Sequence, residues 1–337
     1  MTNRERFQAI MNFEAFDRLP VFEWAPWWEP TIERFKAEGM PTELETTEKI
    51  CSYFGQDQYA RIPIPMMTED GPKAPSHGAP IIYSADEYHS IKKYLYPDLP
   101  EMKKEEFLHV KESHAAGDTV VWFTMDGFFW FPRVLLGIEN HLYAFYDQPE
   151  LIHEINKDLS DWMLRTIDQI CEILTPDFMS FSEDMSYNLG PMLSEDLYRE
   201  FLLPYYHKVV PALKERGIIP FIDSDGDISK AVPWFLESGI EAIFPLERQA
   251  GVDIVQLRRQ YPKLRFMGCF DKMVLGKGEA ALRAEFERML DTAAEGGLLI
   301  SCDHQTPPHT SLEEYKLYMK LSFEYAQKAG ERSRQGR

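Results

Sequence analysis

Short apolar runs alternate with longer stretches of helical period along most of this chain, and nearly every run ends at its C-terminal tip in a carboxylate or a histidine. Val21-Phe22 leads into Glu23, Val120 to Met125 into Asp126, and Phe178 to Ser182 into Glu183-Asp184. Ile218 to Ile222 leads into Asp223-Ser224-Asp225, Ile243 to Leu246 into Glu247, Phe266 to Phe270 into Asp271, and Leu298 to Cys302 into Asp303-His304. Charged side chains are seldom buried without partners. Acids repeated at one end of successive strands therefore predict that those ends converge on a polar cavity, as in an enzyme.

Between the runs, the period predicts helices over Leu151 to Leu174, Ser194 to Arg216, Asp227 to Ser238, Gly251 to Tyr261 and Glu279 to Glu295, most of them ended by Gly or Pro. Strictly alternating β and α elements imply a parallel sheet with crossover helices. Strands are expected near 119–125, 178–183, 218–223, 242–247, 265–271 and 298–303; adding 19–23 and a weaker 58–64 makes eight, the number that closes a (β/α)8 TIM barrel. The fold class read from this pattern is α/β, one barrel domain over 1–330 with an N-terminal helical extension. Residues 63–118, rich in Pro, Gly and charge, form a long excursion between the second and third strands and a candidate lid. The tail 331–337 is expected to fray.

Composition narrows the function. The formal charge is -19 with no Lys/Arg cluster, which disfavours nucleic acid and anionic membranes. Four scattered cysteines without C-x-x-C spacing read as reduced thiols, and with no apolar span or leader at the start the expectation is a cytoplasmic protein. Neither G-x-G-x-x-G nor a P-loop string occurs, which argues against nucleotide binding.

The densest candidate chemistry is Phe221-Ile-Asp-Ser-Asp-Gly-Asp227. Strand alternation puts Asp223 and Asp225 on one face, about 6–7 Å apart, where two carboxylates either bind a divalent cation or share a proton. Asp227 fits a helix cap better, and glycine at the fourth loop position excludes an EF-hand. Glu183 and Asp184 point to opposite sides if their strand persists, so one of them faces the axis unless the chain has turned; Tyr187 and Asn188 follow on the same rim. His304 is the one histidine at a strand tip and offers a proton shuttle or a metal ligand; Glu247 is a further ligand candidate. Trp24, Trp27 and Trp28, and a second block containing Trp122, Phe128 and Trp130, either pack the core or wall an apolar substrate pocket. Arg18, Arg61 and Arg133 are isolated cations able to orient a substrate carboxylate.

Several strings together resemble the uroporphyrinogen decarboxylase superfamily over nearly the whole chain. They are Asn3-Arg-Glu-Arg-Phe-Gln-Ala-Ile-Met with Asp17-Arg-Leu-Pro20, Glu183-Asp184 before Leu189-Gly-Pro191, Glu200-Phe-Leu-Leu-Pro-Tyr-Tyr206, Asp223-Ser-Asp-Gly226, Pro245-Leu-Glu247, Gly268-x-x-Asp271, and Asp303-His304 before Pro307-Pro308. The resemblance implies a (β/α)8 barrel and one of two activities, and the chain departs from both patterns. Where the decarboxylases carry an Arg-Gln-Ala-Gly-Arg-Tyr segment for acidic substrate arms, Trp24-Ala-Pro-Trp-Trp-Glu-Pro30 stands here. Their catalytic aspartate is matched only by Asp57, their serine by Asp184 and their late histidine by His304. In the cobamide-dependent methyltransferases, a His-x-Cys and a later Cys bind zinc; those positions correspond to Asp223, Asp225 and His304.

The expectation is thus a divalent metal, zinc by resemblance with Mg or Mn as alternatives, held by Asp223, Asp225 and His304 with Glu183 or Glu247. Asp184 or Tyr187 would donate the proton, and Trp24, Phe128 and Trp130 would line the pocket. The reaction expected is demethylation of a small methoxylated aryl or methylamine-like compound. Having no Asp-x-His-x-x-Gly string, the chain would reach a corrinoid only through a partner protein. Decarboxylation through Asp57 and His304 is the alternative, a ligand-binding barrel without turnover the third reading, and pairing as a homodimer is compatible with all three.

Overall fold

The computed structural model describes residues 1–25 and 27–335. Seven of the eight expected strands form where the apolar runs lie. They are β1 (Gln58–Pro63), β2 (Thr119–Asp126), β3 (Phe178–Ser182), then, after an unforeseen two-residue ladder of β4 (Ser186–Tyr187) with β5 (Gly190–Pro191), β6 (Ile219–Asp223), β7 (Ala242–Phe244), β8 (Arg265–Phe270) and β9 (Leu298–Cys302). β2, β3, β7, β8 and β9 are buried almost along their whole length. Parallel strands covered on both faces need such continuous apolar runs rather than alternation. Polar chemistry is therefore pushed to the tips.

The stretch 19–23 does not form the eighth strand. Pro20 has no N–H to give a ladder, and Val21 spends its own backbone groups on Asp57, donating to the carboxylate at 2.8 Å and accepting from the Asp57 N–H at 2.8 Å. The expected helix from Ser194 to Arg216 is two helices, Glu195–Phe201 and Leu203–Glu215. Pro204 cannot donate into a continuous ladder, so the chain breaks at Leu202. Asp227 caps a turn by accepting from Ser229 N at 3.0 Å, and the regular helix begins only at Val232.

The described residues fall into two compact units, each discontinuous in sequence. One comprises Arg61–Glu112 and Val121–Glu241, the other Met1–Ala60, Ser113–Val120 and Ala242 onward. In the first, β2, β3 and β6 pair in parallel, with Trp122 opposite Phe178 and Phe178 opposite Ile219. The helix Pro149–Cys171 buries Leu151, Ile155, Leu159, Trp162 and Ile170, a stripe at helical spacing. Against that helix the excursion is pinned rather than loose: Trp162 Nε1 donates to the Pro97 carbonyl at 2.6 Å and the Tyr88 hydroxyl to Asp158 at 2.8 Å. In the second unit, β7, β8 and β9 pair in parallel, Ala242 opposite Arg265 and Phe266 opposite Leu298. Its last helix runs Leu312–Gln335, so the tail expected to fray from 331 is helical as far as 335; 336 and 337 lie outside the described residues. No helix among the described residues is long and apolar enough to cross a membrane.

Gly330 shows how tightly this last helix is seated. A Cβ there would run into the Asp17 carbonyl oxygen. Glycine to alanine inside a helix ordinarily stabilises by up to ~1 kcal/mol, but overpacking costs about 1–3 kcal/mol. The clash is with backbone and should win. Gly330→Ala is expected to lower stability by about 1–2 kcal/mol, read as an earlier urea midpoint at unchanged slope; a later midpoint would contradict this packing.

Candidate active site

In the Arg61–Glu241 unit the parallel register sets Asp126, Ser182 and Asp223 in one row across the tips of β2, β3 and β6. Neighbouring strands lie about 4.8 Å apart and aligned residues share a face, so the row presents acids on either side of a serine. β3 ends at Ser182, and two residues later Asp184 adopts a left-handed φ of 38°. Aspartate tolerates this region better than most side chains. The turn carries the Asp184 carboxylate toward the loop after β6, where its Oδ1 accepts from Asp225 N at 3.3 Å. One ligand atom from each of Asp184, Asp223 and Asp225 lies within 4.8 Å of the others.

The loop that carries Asp225 is held by the β4–β5 ladder. Asp227 N donates to the Tyr187 carbonyl at 2.9 Å, and the Ser224 hydroxyl accepts from Met185 N at 3.2 Å. Gly226 sits at φ 80°, and a Cβ there would stand 2.7 Å from the Tyr187 backbone. Only glycine allows that approach. Tyr187 itself is half exposed beside the acids.

Glu183, read as a candidate ligand, has a different position. Its carboxylate is fully buried and accepts from Phe128 N and Phe129 N at 2.8 Å, from Trp130 N at 3.0 Å, and from the Tyr206 hydroxyl. Burial pushes its pKa up to about 7, and the four donors hold it back from rising further. Phe128, read as a pocket wall, is fully buried with its ring against Phe181 and Tyr206. Trp130 remains partly open, with the Arg133 guanidinium 4.6 Å over its ring. Arg61 lies 5.0 Å over Trp122 and keeps accessible surface, yet the protein packed about it lowers its pKa while the charge of Asp223 acts the other way. Burial likewise lowers Arg133 against the charge of Asp184.

Asp126 was legible as a strand-tip acid but was not among the candidate site residues. Burial first, then the charges of Glu183 and Asp184, push it up to about 7. The sequence signal that marks it is the acid directly after an apolar run. The property that matters, crowding by two other carboxylates, is tertiary.

The remaining candidates belong to the other unit. Asp57 holds Arg18 in a two-point ion pair at 2.6 Å and caps Val21 N, so both of its oxygens serve the fold. Trp24 is buried, donates from Nε1 to the Cys302 carbonyl at 2.9 Å, and meets His304 edge-on at 5.9 Å. Glu247 pairs with Lys272 at 3.3 Å, and Lys272 also stands 3.7 Å from the buried Asp303. Glu23 is buried, accepting from Cys302 N at 2.9 Å and the Tyr318 hydroxyl at 2.7 Å; burial raises it to about 7.

A model of the uroporphyrinogen decarboxylase (URO-D) family matches residues 113–325. The chain belongs to that family. No curated protein sequence matches it significantly. Among solved structures, a methyltransferase from Methanosarcina mazei is similar at TM-score 0.65 and 16% identity, covering 96% of this chain and 99% of the other. A protein described as a vitamin-B12-independent methionine synthase from Listeria monocytogenes follows at TM-score 0.49 and 13% identity, covering 94% and 98%. The first likeness establishes a shared α/β fold.

Two outcomes are expected. Glu183→Ala strands three backbone amides and should cost about 3–5 kcal/mol in urea unfolding. An unchanged urea midpoint would refute this role. For Glu23, the folded pKa lies above the unfolded value near 4.5, so the folded state binds the extra proton between the two. The stability it contributes is full below about 4.5 and is lost as pH rises through about 7. Wild-type stability relative to Glu23→Gln should therefore decline from pH 5 to pH 8, and a flat difference would refute the raised value.

Proposed function

We propose that this chain is a metal-dependent methyltransferase-like enzyme of the URO-D family, and the observation that carries the reading is the convergence of Asp184, Asp223 and Asp225. The donor set fits a divalent cation: three carboxylates from two strand tips and the following loop offer hard oxygen ligands within 4.8 Å of one another. Carboxylates alone favour Mg or Mn over the zinc that the family's sulfur ligands take. A bound cation would supply Lewis acidity to the substrate heteroatom.

The chain's own residues do the rest. A methyl group leaving oxygen or nitrogen requires a proton on that heteroatom. The half-exposed Tyr187, on the ladder that holds the acid-bearing loop, is the donor. Trp130 offers a partly open ring to an aryl or methylated body. The substrate is a small methoxylated aryl or methylamine-like compound, and the methyl acceptor is a corrinoid carried by a separate protein, a reading supported by family membership and by the fold shared with the Methanosarcina methyltransferase. Decarboxylation of a small acid is the second reading. Asp126, raised to about 7, favours it more than Asp57 does, since both Asp57 oxygens are taken by Arg18.

Elemental analysis of wild type beside Asp184→Ala, Asp223→Ala and Asp225→Ala tests the site. Bound divalent metal should fall at least ~10-fold in each variant; equal content in all four proteins would remove it. Reduced free cobalamin, followed by absorbance with methoxylated aryl compounds and methylamines as donors, tests the reaction. Methylation that depends on Asp223 supports methyl transfer, whereas carbon dioxide release without methylation supports the second reading.

A further inference from the structure

From the two guanidiniums beside the acid cluster we infer that the substrate carries a carboxylate, held by Arg61 and Arg133. Acidic residues outnumber basic ones by 55 to 36 in this chain, so a cation here does not go unpaired for want of acids. Arg6, Arg18, Arg34, Arg199, Arg283 and Arg288 all hold carboxylates in ion pairs. Arg61 and Arg133 hold none among the described residues. Each is instead laid over an indole, Arg61 on Trp122 at 5.0 Å and Arg133 on Trp130 at 4.6 Å. Arg133 makes one long hydrogen bond, at 3.4 Å, to the Asp184 carbonyl.

Stacking fixes a guanidinium's plane while leaving its edge, the fork that matches a carboxylate, open to a ligand. Each guanidinium feels the charge of one acid of the cluster, Arg61 that of Asp223 and Arg133 that of Asp184. A small acid with a flat apolar body satisfies the forks and the partly open Trp130 together. The aryl body is the one proposed above; the forks do not depend on the cation proposed there.

The test is a binding titration of 4-methoxybenzoate and its neutral isostere 4-methoxybenzamide at up to millimolar concentration. It uses wild type, Arg61→Gln, Arg133→Gln and Arg61→Lys, with metal content and thermal unfolding of each sample measured in parallel. Wild type should bind the acid at least ~10-fold more tightly than the amide. Each Gln variant should lose most of that preference while its affinity for the amide and its metal content stay unchanged, and Arg61→Lys, which keeps the charge but not the fork, should fall between. Equal binding of acid and amide by wild type, including no binding of either, overturns the inference, as does a preference that survives both Gln substitutions. Metal-free wild type that still prefers the acid sinks the cation reading alone. Metal-bound wild type that does not discriminate sinks this inference alone.

Discussion

One buried carboxylate organises the site. Glu183 takes the N–H groups of Phe128, Phe129 and Trp130 and the Tyr206 hydroxyl onto its two oxygens, closing the loop after β2 onto the tip of β3. An unsatisfied buried amide costs about 1–3 kcal/mol, so three of them aimed at one acceptor hold that loop in a single arrangement. Trp130 and Arg133 follow directly from it. Because Glu183 turns inward to this task, the next residue must turn the other way. The left-handed backbone at Asp184 is how the chain delivers one acid to the fold and its neighbour to the cluster.

The cluster is a problem of charge before it is a site. Asp184, Asp223 and Asp225 bring ligand atoms within 4.8 Å of one another, so their charges repel unless a cation or a proton stands among them. Asp126 and Glu183 already respond, each raised to about 7 by burial and, for Asp126, by its acidic neighbours. Arg61 and Arg133 counter part of the charge at a distance. Such a balance couples anything cationic that binds to the protonation of Asp126, since a new positive charge would draw its pKa back down.

Membership of the URO-D family and a fold shared with a methyltransferase leave the chemistry to the strand tips, because fold and reaction vary independently. Here the tips carry carboxylates. In the first segment the chain carries tryptophans: Trp24 is bonded to the Cys302 carbonyl and packed on Phe244 and His304. A buried indole in that place is part of the unit's packing. Arg61 and Arg133, proposed to hold a substrate carboxylate, lie instead on β1 and on the helix Trp130–Leu136.

Apolar runs ending in acids were enough to place seven strands, most of the helices between them and the acids at the strand tips, because burying a parallel strand on both faces demands an unbroken apolar run and expels charge to its end. The motif strings were enough for the family. Local pattern could not show that Val21 would bond to Asp57 in place of a neighbouring strand, that Pro204 would split a helix, or that Glu183 would serve the fold while Asp184 joins the cluster. Nor could it show which arginines stay unpaired or why Asp126 holds its proton. Those outcomes depend on which groups meet across tens to hundreds of residues, and hydrogen-bond satisfaction, burial and charge crowding exist only once the chain has brought them together.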